Sequence, residues 1–129
     1  MVDVRLNAII DPERANGRSL AELTWLVVAG GATLIQLRDK KGATRQMIEE
    51  ARAIKAALAG TGVPLVINDR VDVALIAEAD GVHVGQDDMR AEDARRLRGA
   101  EGREGRRAHV PLSPGWMGVR NLPALCLPV

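Results

Sequence analysis

Along residues 6–98 a short apolar run gives way to polar side chains and then to a stretch with helical spacing, four times in succession. Leu6-Asn7-Ala8-Ile9-Ile10-Asp11 closes at Asp11-Pro12, a strand followed by a turn. Ser19 stands at an N-cap position with Glu22 placed as in a capping box, and Leu20, Leu23, Leu26 and Val27 recur at helical spacing up to Gly30-Gly31. The spacing predicts a helix over about 20–29 with those residues inward. Thr33 to Lys40 reads as a second strand, with Leu34, Gln36, Arg38 and Lys40 on one face and Ile35 and Leu37 on the other. After Lys41-Gly42 a second helix follows, its inner face marked by Met47, Ile48, Ala51, Ile54 and Leu58 and its end by Gly60 and Gly62. Glu49, Glu50, Arg52 and Lys55 fall on its solvated side. Pro64 to Arg70 repeats the design of the second strand, Val71 to Ala79 forms a short helix, and Gly81 to Gly85 a fourth strand ending in Gln86-Asp87-Asp88. A polar helix over Ala91 to Arg98, with Ala94 and Leu97 inward, completes the fourth unit.

Strands alternating with helices at this spacing form a parallel sheet with right-handed crossovers. Two α/β architectures fit: an open doubly wound sheet, or the first half of an eight-stranded TIM barrel. A glycine-rich phosphate loop after the first strand would favour the former, and Asp11-Pro12-Glu13-Arg14-Ala15-Asn16-Gly17 contains none. In both, ligands collect at the carboxyl ends of the strands. After Gly99 the text changes: Lys and Ile vanish, Arg recurs at 103, 106, 107 and 120, and four of the six prolines fall at 111, 114, 123 and 128. Its apolar residues are isolated and its prolines interrupt helical and strand pairing. The expectation is therefore a parallel α/β unit over 1–99, in either architecture, and an irregular or disordered tail over 100–129 with no further strand of the earlier kind, equally readable as an out-of-frame product.

With 129 residues, 47% of them hydrophobic and 27% charged, the chain has ordinary globular composition and room for one core. A net charge of +1, and two Trp with no Tyr or Phe, argue against nucleic acid as a partner. Cys126 is the only cysteine, and there is no apolar run of membrane-spanning length or charged-then-apolar leader, so a cytoplasmic protein without a membrane partner is expected.

The chemistry sits at the strand ends. Arg38 and Lys40 share a strand face and can clamp an anion such as a diphosphate. Asn68 and Asp69 end the third strand, and Gln86, Asp87 and Asp88 the fourth. Carboxylates on neighbouring strand ends suit one Mg²⁺, which accepts one or two protein carboxylates beside water and substrate phosphate. Structural duties compete with each assignment: Asp69 or Asp88 as a helix N-cap, Asn68 as a turn former, His83 as a packed histidine rather than a metal ligand.

The segments QLRDK at 36–40, NDR at 68–70 and ADGVHVGQDD at 79–88, in this order at strand ends, resemble thiamine-phosphate synthase over about residues 4–99. The resemblance implies a (β/α) barrel that joins hydroxymethylpyrimidine diphosphate to a thiazole phosphate, giving thiamine phosphate and diphosphate with Mg²⁺. It implies that Gln36, Leu37, Arg38, Asp39, Lys40 and Asn68 contact the pyrimidine diphosphate and that Asp69 and Asp88 bind the metal. It also implies a dissociative course, in which diphosphate departs, a methylene cation forms and the thiazole nitrogen captures it. Past Arg95-Arg96-Leu97-Arg98-Gly99 the family's fifth strand with its Ser or Thr, its threonine-lysine loop and its thiazole-phosphate positions have no counterpart. Half a barrel would expose strand edges, so self-association is expected. The alternatives are a non-catalytic half-barrel that binds phosphate or a partner chain, and the related thiazole tautomerase, against which QLRDK and the Asp69/Asp88 pair argue.

Overall fold

The computed structural model describes residues 3–85 and 124–128. Its elements run β1 (Asn7–Ile10), α1 (Leu20–Ala29), β2 (Leu34–Leu37), α2 (Thr44–Ala57), β3 (Leu65–Asn68), α3 (Val71–Ile76), β4 (Gly81–Gly85) and β5 (Ala124–Pro128). The strands form one sheet in the order β1-β2-β3-β4-β5. The first four are parallel, with registers that include Ile9↔Gln36, Gln36↔Val66 and Asn68↔His83. Among the described residues the parallel strands follow chain order without the reversal that a doubly wound sheet requires.

β5 pairs antiparallel with β4, from Gly81↔Pro128 to Gly85↔Ala124. This corrects, for 124–128, the expectation of an irregular tail without a further strand. Proline is excluded from central strands but allowed on an edge, where one side of the backbone makes no ladder bonds, and here Pro128 is the last residue of an edge strand. The remainder of the tail, the helix expected over 91–98, and Asp87 and Asp88 lie outside the described residues.

Alternation gives the sheet two faces. Ile35, Leu37, Leu65, Ile67, Val82 and Val84 point toward the helices and pack with Met47, Ala51, Ile54 and Leu58 of α2 and Val73 and Ala74 of α3. The register puts Asn7, Ile9, Gln36, Val66, Asn68 and His83 on the other face. α1 begins as expected, Ser19 accepting a hydrogen bond from the Glu22 amide, but it is rotated from the expected stripe. Leu20, Val27 and Val28 pack on the core and Thr24 is fully buried, its hydroxyl donating to the Leu20 carbonyl at 2.7 Å, while Leu26 and Trp25 are exposed. A helix apolar nearly all round does not tell by periodicity which side packs. α2 keeps Met47, Ala51 and Ile54 inward, and Glu49 and Arg52 are exposed, but Glu50 is half-buried, a correction to its expected solvated position.

Candidate functional site

β1, β2 and β3 end side by side, and their last residues bring the charged groups together. Arg38 follows β2, its amide donating to the Ile10 carbonyl at 2.9 Å. Its guanidinium donates to Asp11 Oδ2 at 3.1 Å, and Asp11 is nearly buried, its other oxygen receiving the Glu13 amide at 3.0 Å. Lys40 reaches the opposite way and forms an ion pair with Asp69 at the end of β3. Lys41 pairs with Glu13 at 2.6 Å. Two cations of one loop are thus held by carboxylates of the two flanking strand ends, and side-chain exposures of 40% for Arg38 and 47% for Lys40 leave both open to a ligand.

Asp69 is not a helix cap: the N-cap of α3 is Arg70, and no side-chain cap bond is made there. Asp69 instead takes φ +66°, a left-handed backbone that an aspartate adopts more readily than most residues but still at a cost. Its amide donates to the His83 carbonyl at 2.8 Å, so pairing to β4 holds the turn. Arg70 turns away and binds Asp72 at 2.7 Å and Thr44 at 2.9 Å, and the Arg70 hydrogen bond holds the Asp72 carboxyl below its usual range.

Below the charges, the face away from the helices carries a chain of amides. Asn7 Nδ2 donates to Gln36 Oε1 at 3.3 Å, and Gln36 Nε2 donates to Asn68 Oδ1 at 3.0 Å and lies 3.0 Å from His83 Nδ1. Gln36 is 3% exposed, so its amide must be satisfied internally, and this chain fixes which way it points. Asn68 therefore binds across the sheet rather than terminating it in a turn.

The sequence-derived site residues divide into three groups. Gln36, Arg38, Lys40, Asn68 and Asp69 meet at or beneath the strand ends. Leu37 and Asp39 point elsewhere: the Leu37 side chain is fully buried against the helices, and Asp39 Oδ1 accepts the amides of Lys41 at 3.0 Å and Gly42 at 2.7 Å. Asp88 lies outside the described residues. Asp11, Glu13 and Asn7 look in the sequence like strand and turn residues alone, and nothing in their local pattern marks them, since their partners are 27 to 29 residues away. Among the described residues no group of three His, Cys, Asp or Glu side chains gathers as a metal cage, and no helix is long and apolar enough to cross a membrane.

A parallel α/β sheet whose strand ends gather paired cations, a carboxylate and oriented amides has the chemistry to accept a small anion there. Residues 6–109 match the thiamine monophosphate synthase family, and the chain belongs to it. A thiamine-phosphate synthase of Agrobacterium fabrum is 60% identical over 98 residues, covering 76% of this chain and 44% of that protein. That of Vibrio parahaemolyticus is 62% identical over 81 residues, 63% of this chain and 40% of the relative. The fold is similar to that of a thiamine phosphate pyrophosphorylase from Pyrococcus furiosus, with TM-score 0.65 and 34% identity over 73% of this chain and 45% of that one. The chain thus spans somewhat under half the length of these relatives.

Proposed function

We propose that this chain carries the pyrimidine-diphosphate half of a thiamine-phosphate synthase site, formed on the first four strands of a (β/α) barrel. The reaction in which it takes part joins hydroxymethylpyrimidine diphosphate to thiazole phosphate. The observation that carries this reading is the meeting of Arg38, Lys40 and Asp69 at adjoining strand ends, above the Asn7–Gln36–Asn68 amides.

Arg38 and Lys40 bind the oxygens of the diphosphate and stabilise its negative charge as it departs, which favours the dissociative course. Gln36 holds Asn68 in one orientation, and the Asn68 amide is presented to the pyrimidine edge. Leu37 and Asp39 serve the site by packing and loop shape. The Asp69 carboxylate, 24% exposed at the end of β3, fits one oxygen ligand of Mg²⁺, with Asp88 as the second. The metal would supply charge neutralisation at the diphosphate.

Binding of inorganic diphosphate to the full chain, measured calorimetrically with and without Mg²⁺, tests this. Arg38→Ala and Lys40→Ala are each expected to weaken binding roughly ten- to hundredfold, since a charged hydrogen bond contributes about 1.5–3 kcal/mol. Binding unchanged in both variants would count against the assignment.

A further inference from the structure

The one carboxylate of the loop between β2 and α2 points away from the ligand side. Asp39 Oδ1 takes the Lys41 and Gly42 amides, which bends the loop so that Arg38 and Lys40 stand at the strand ends. Its second oxygen, Oδ2, and Oε2 of Glu50 on α2 are both shielded from solvent, and neither meets an ordinary donor among the described residues. These two oxygens are the buried side-chain atoms without a partner among the described residues, and each carboxyl acts on the ionisation of the other. Two buried carboxyl groups in contact with no cation between them hold a proton. Glu50 Oε1 is already committed to Gln46 Nε2 at 2.9 Å, which leaves Oε2 to carry the proton toward Asp39.

We propose that Glu50 is a positioning residue: in its acid form it donates to Asp39 Oδ2 and latches the loop that presents Arg38 and Lys40. The titration directions agree. Burial pushes Glu50 up against the Gln46 hydrogen bond, and Asp39 adds to the rise; burial opposes ionisation of Asp39 too, but the Gly42 and Lys41 amides and Glu50 outweigh it and bring Asp39 down. Among the charged groups of the surrounding elements, Lys41 binds Glu13, Arg70 binds Asp72, Glu22 is exposed in the first turn of α1, and β3 carries no charge. Glu50 keeps its proton in the fold where an unfolded chain has lost it. Its contribution to stability is therefore complete below the ordinary glutamate value and is lost as pH rises through its raised value. Asp39 works in reverse, its contribution complete above the ordinary aspartate value and lost as pH falls through its lowered one.

The latch stands on loop geometry, while its effect on anion binding rests on the function proposed above. On the full chain, the ¹³C carboxyl resonance of Glu50 and the Lys41 and Gly42 amide resonances are followed from about pH 4 to about pH 9, spanning carboxyl titration. Glu50 is expected to titrate above the ordinary glutamate range, with both amides moving in step. Glu50→Gln, whose amide donates at every pH, should hold the two resonances at their low-pH positions and abolish the shift; Glu50→Ala should displace them throughout. Inorganic diphosphate binding should survive in Glu50→Gln and weaken about tenfold in Glu50→Ala. Ordinary titration of Glu50, or amides indifferent to it, overturns the latch, and the wild-type titration decides this even if Glu50→Ala does not fold. Amides that follow Glu50 in a chain that binds no diphosphate would uphold the latch and refute the proposed function.

Discussion

Gly42 shows how closely the cationic loop is built. A Cβ at this position would lie 1.9 Å from Asp39 Oδ2, so any side chain there must displace that carboxylate. Gly42→Ala is expected to expel the Asp39 carboxylate and cost about 1–3 kcal/mol, read as a lowered urea midpoint at unchanged slope. Gln36→Leu removes the donor that Asn68 receives inside the sheet and should cost about 1–3 kcal/mol. At this scale alternation assigns a face to Gln36 because a strand has only two sides, whereas β2 ends at Leu37, so Arg38 and Lys40 stand in the loop after it and reach opposite ways instead of sharing the expected strand face. Asp11 and Glu50 could not be placed in this way. The role of each comes from a partner in another element, Arg38 for Asp11 and Asp39 for Glu50, which no local pattern shows.

Between elements, the helix-facing side of the sheet supplies the stability that holds the strand ends in register. Ile54 of α2 is fully buried against Ile35, Leu65 and their neighbours, so Ile54→Ala should cost about 2–5 kcal/mol in a chemical-denaturation measurement. Trp25→Ser, at a position 60% exposed on α1, should cost much less than this. β1 through β4 and the three helices were legible because apolar runs closed by polar clusters alternate with helical spacing, and β4 falls on Gly81–Gly85 as read. The packed side of α1 was not legible, since Thr24 lies inward while Leu26 and Trp25 do not. Nor was β5, because an edge strand is defined by the neighbour it pairs with and not by its own short, proline-flanked pattern.

In the molecule as a whole, β1 forms one edge of the described sheet, and Leu6 before it and Ile9 within it are exposed. An apolar edge of this kind templates pairing with another chain, so light scattering at increasing concentration should show association, and Ile9→Lys should reduce it. A monodisperse, cooperatively melting wild-type monomer would contradict this. The central claim concerns the strand ends as a unit, and it is tested most directly by titrating inorganic diphosphate into the full chain with and without Mg²⁺, for wild type, Asp69→Ala and Asp88→Ala. The account predicts saturable binding that requires Mg²⁺ and is lost in both variants. Absence of binding, or binding indifferent to Mg²⁺ and to both aspartates, would contradict it.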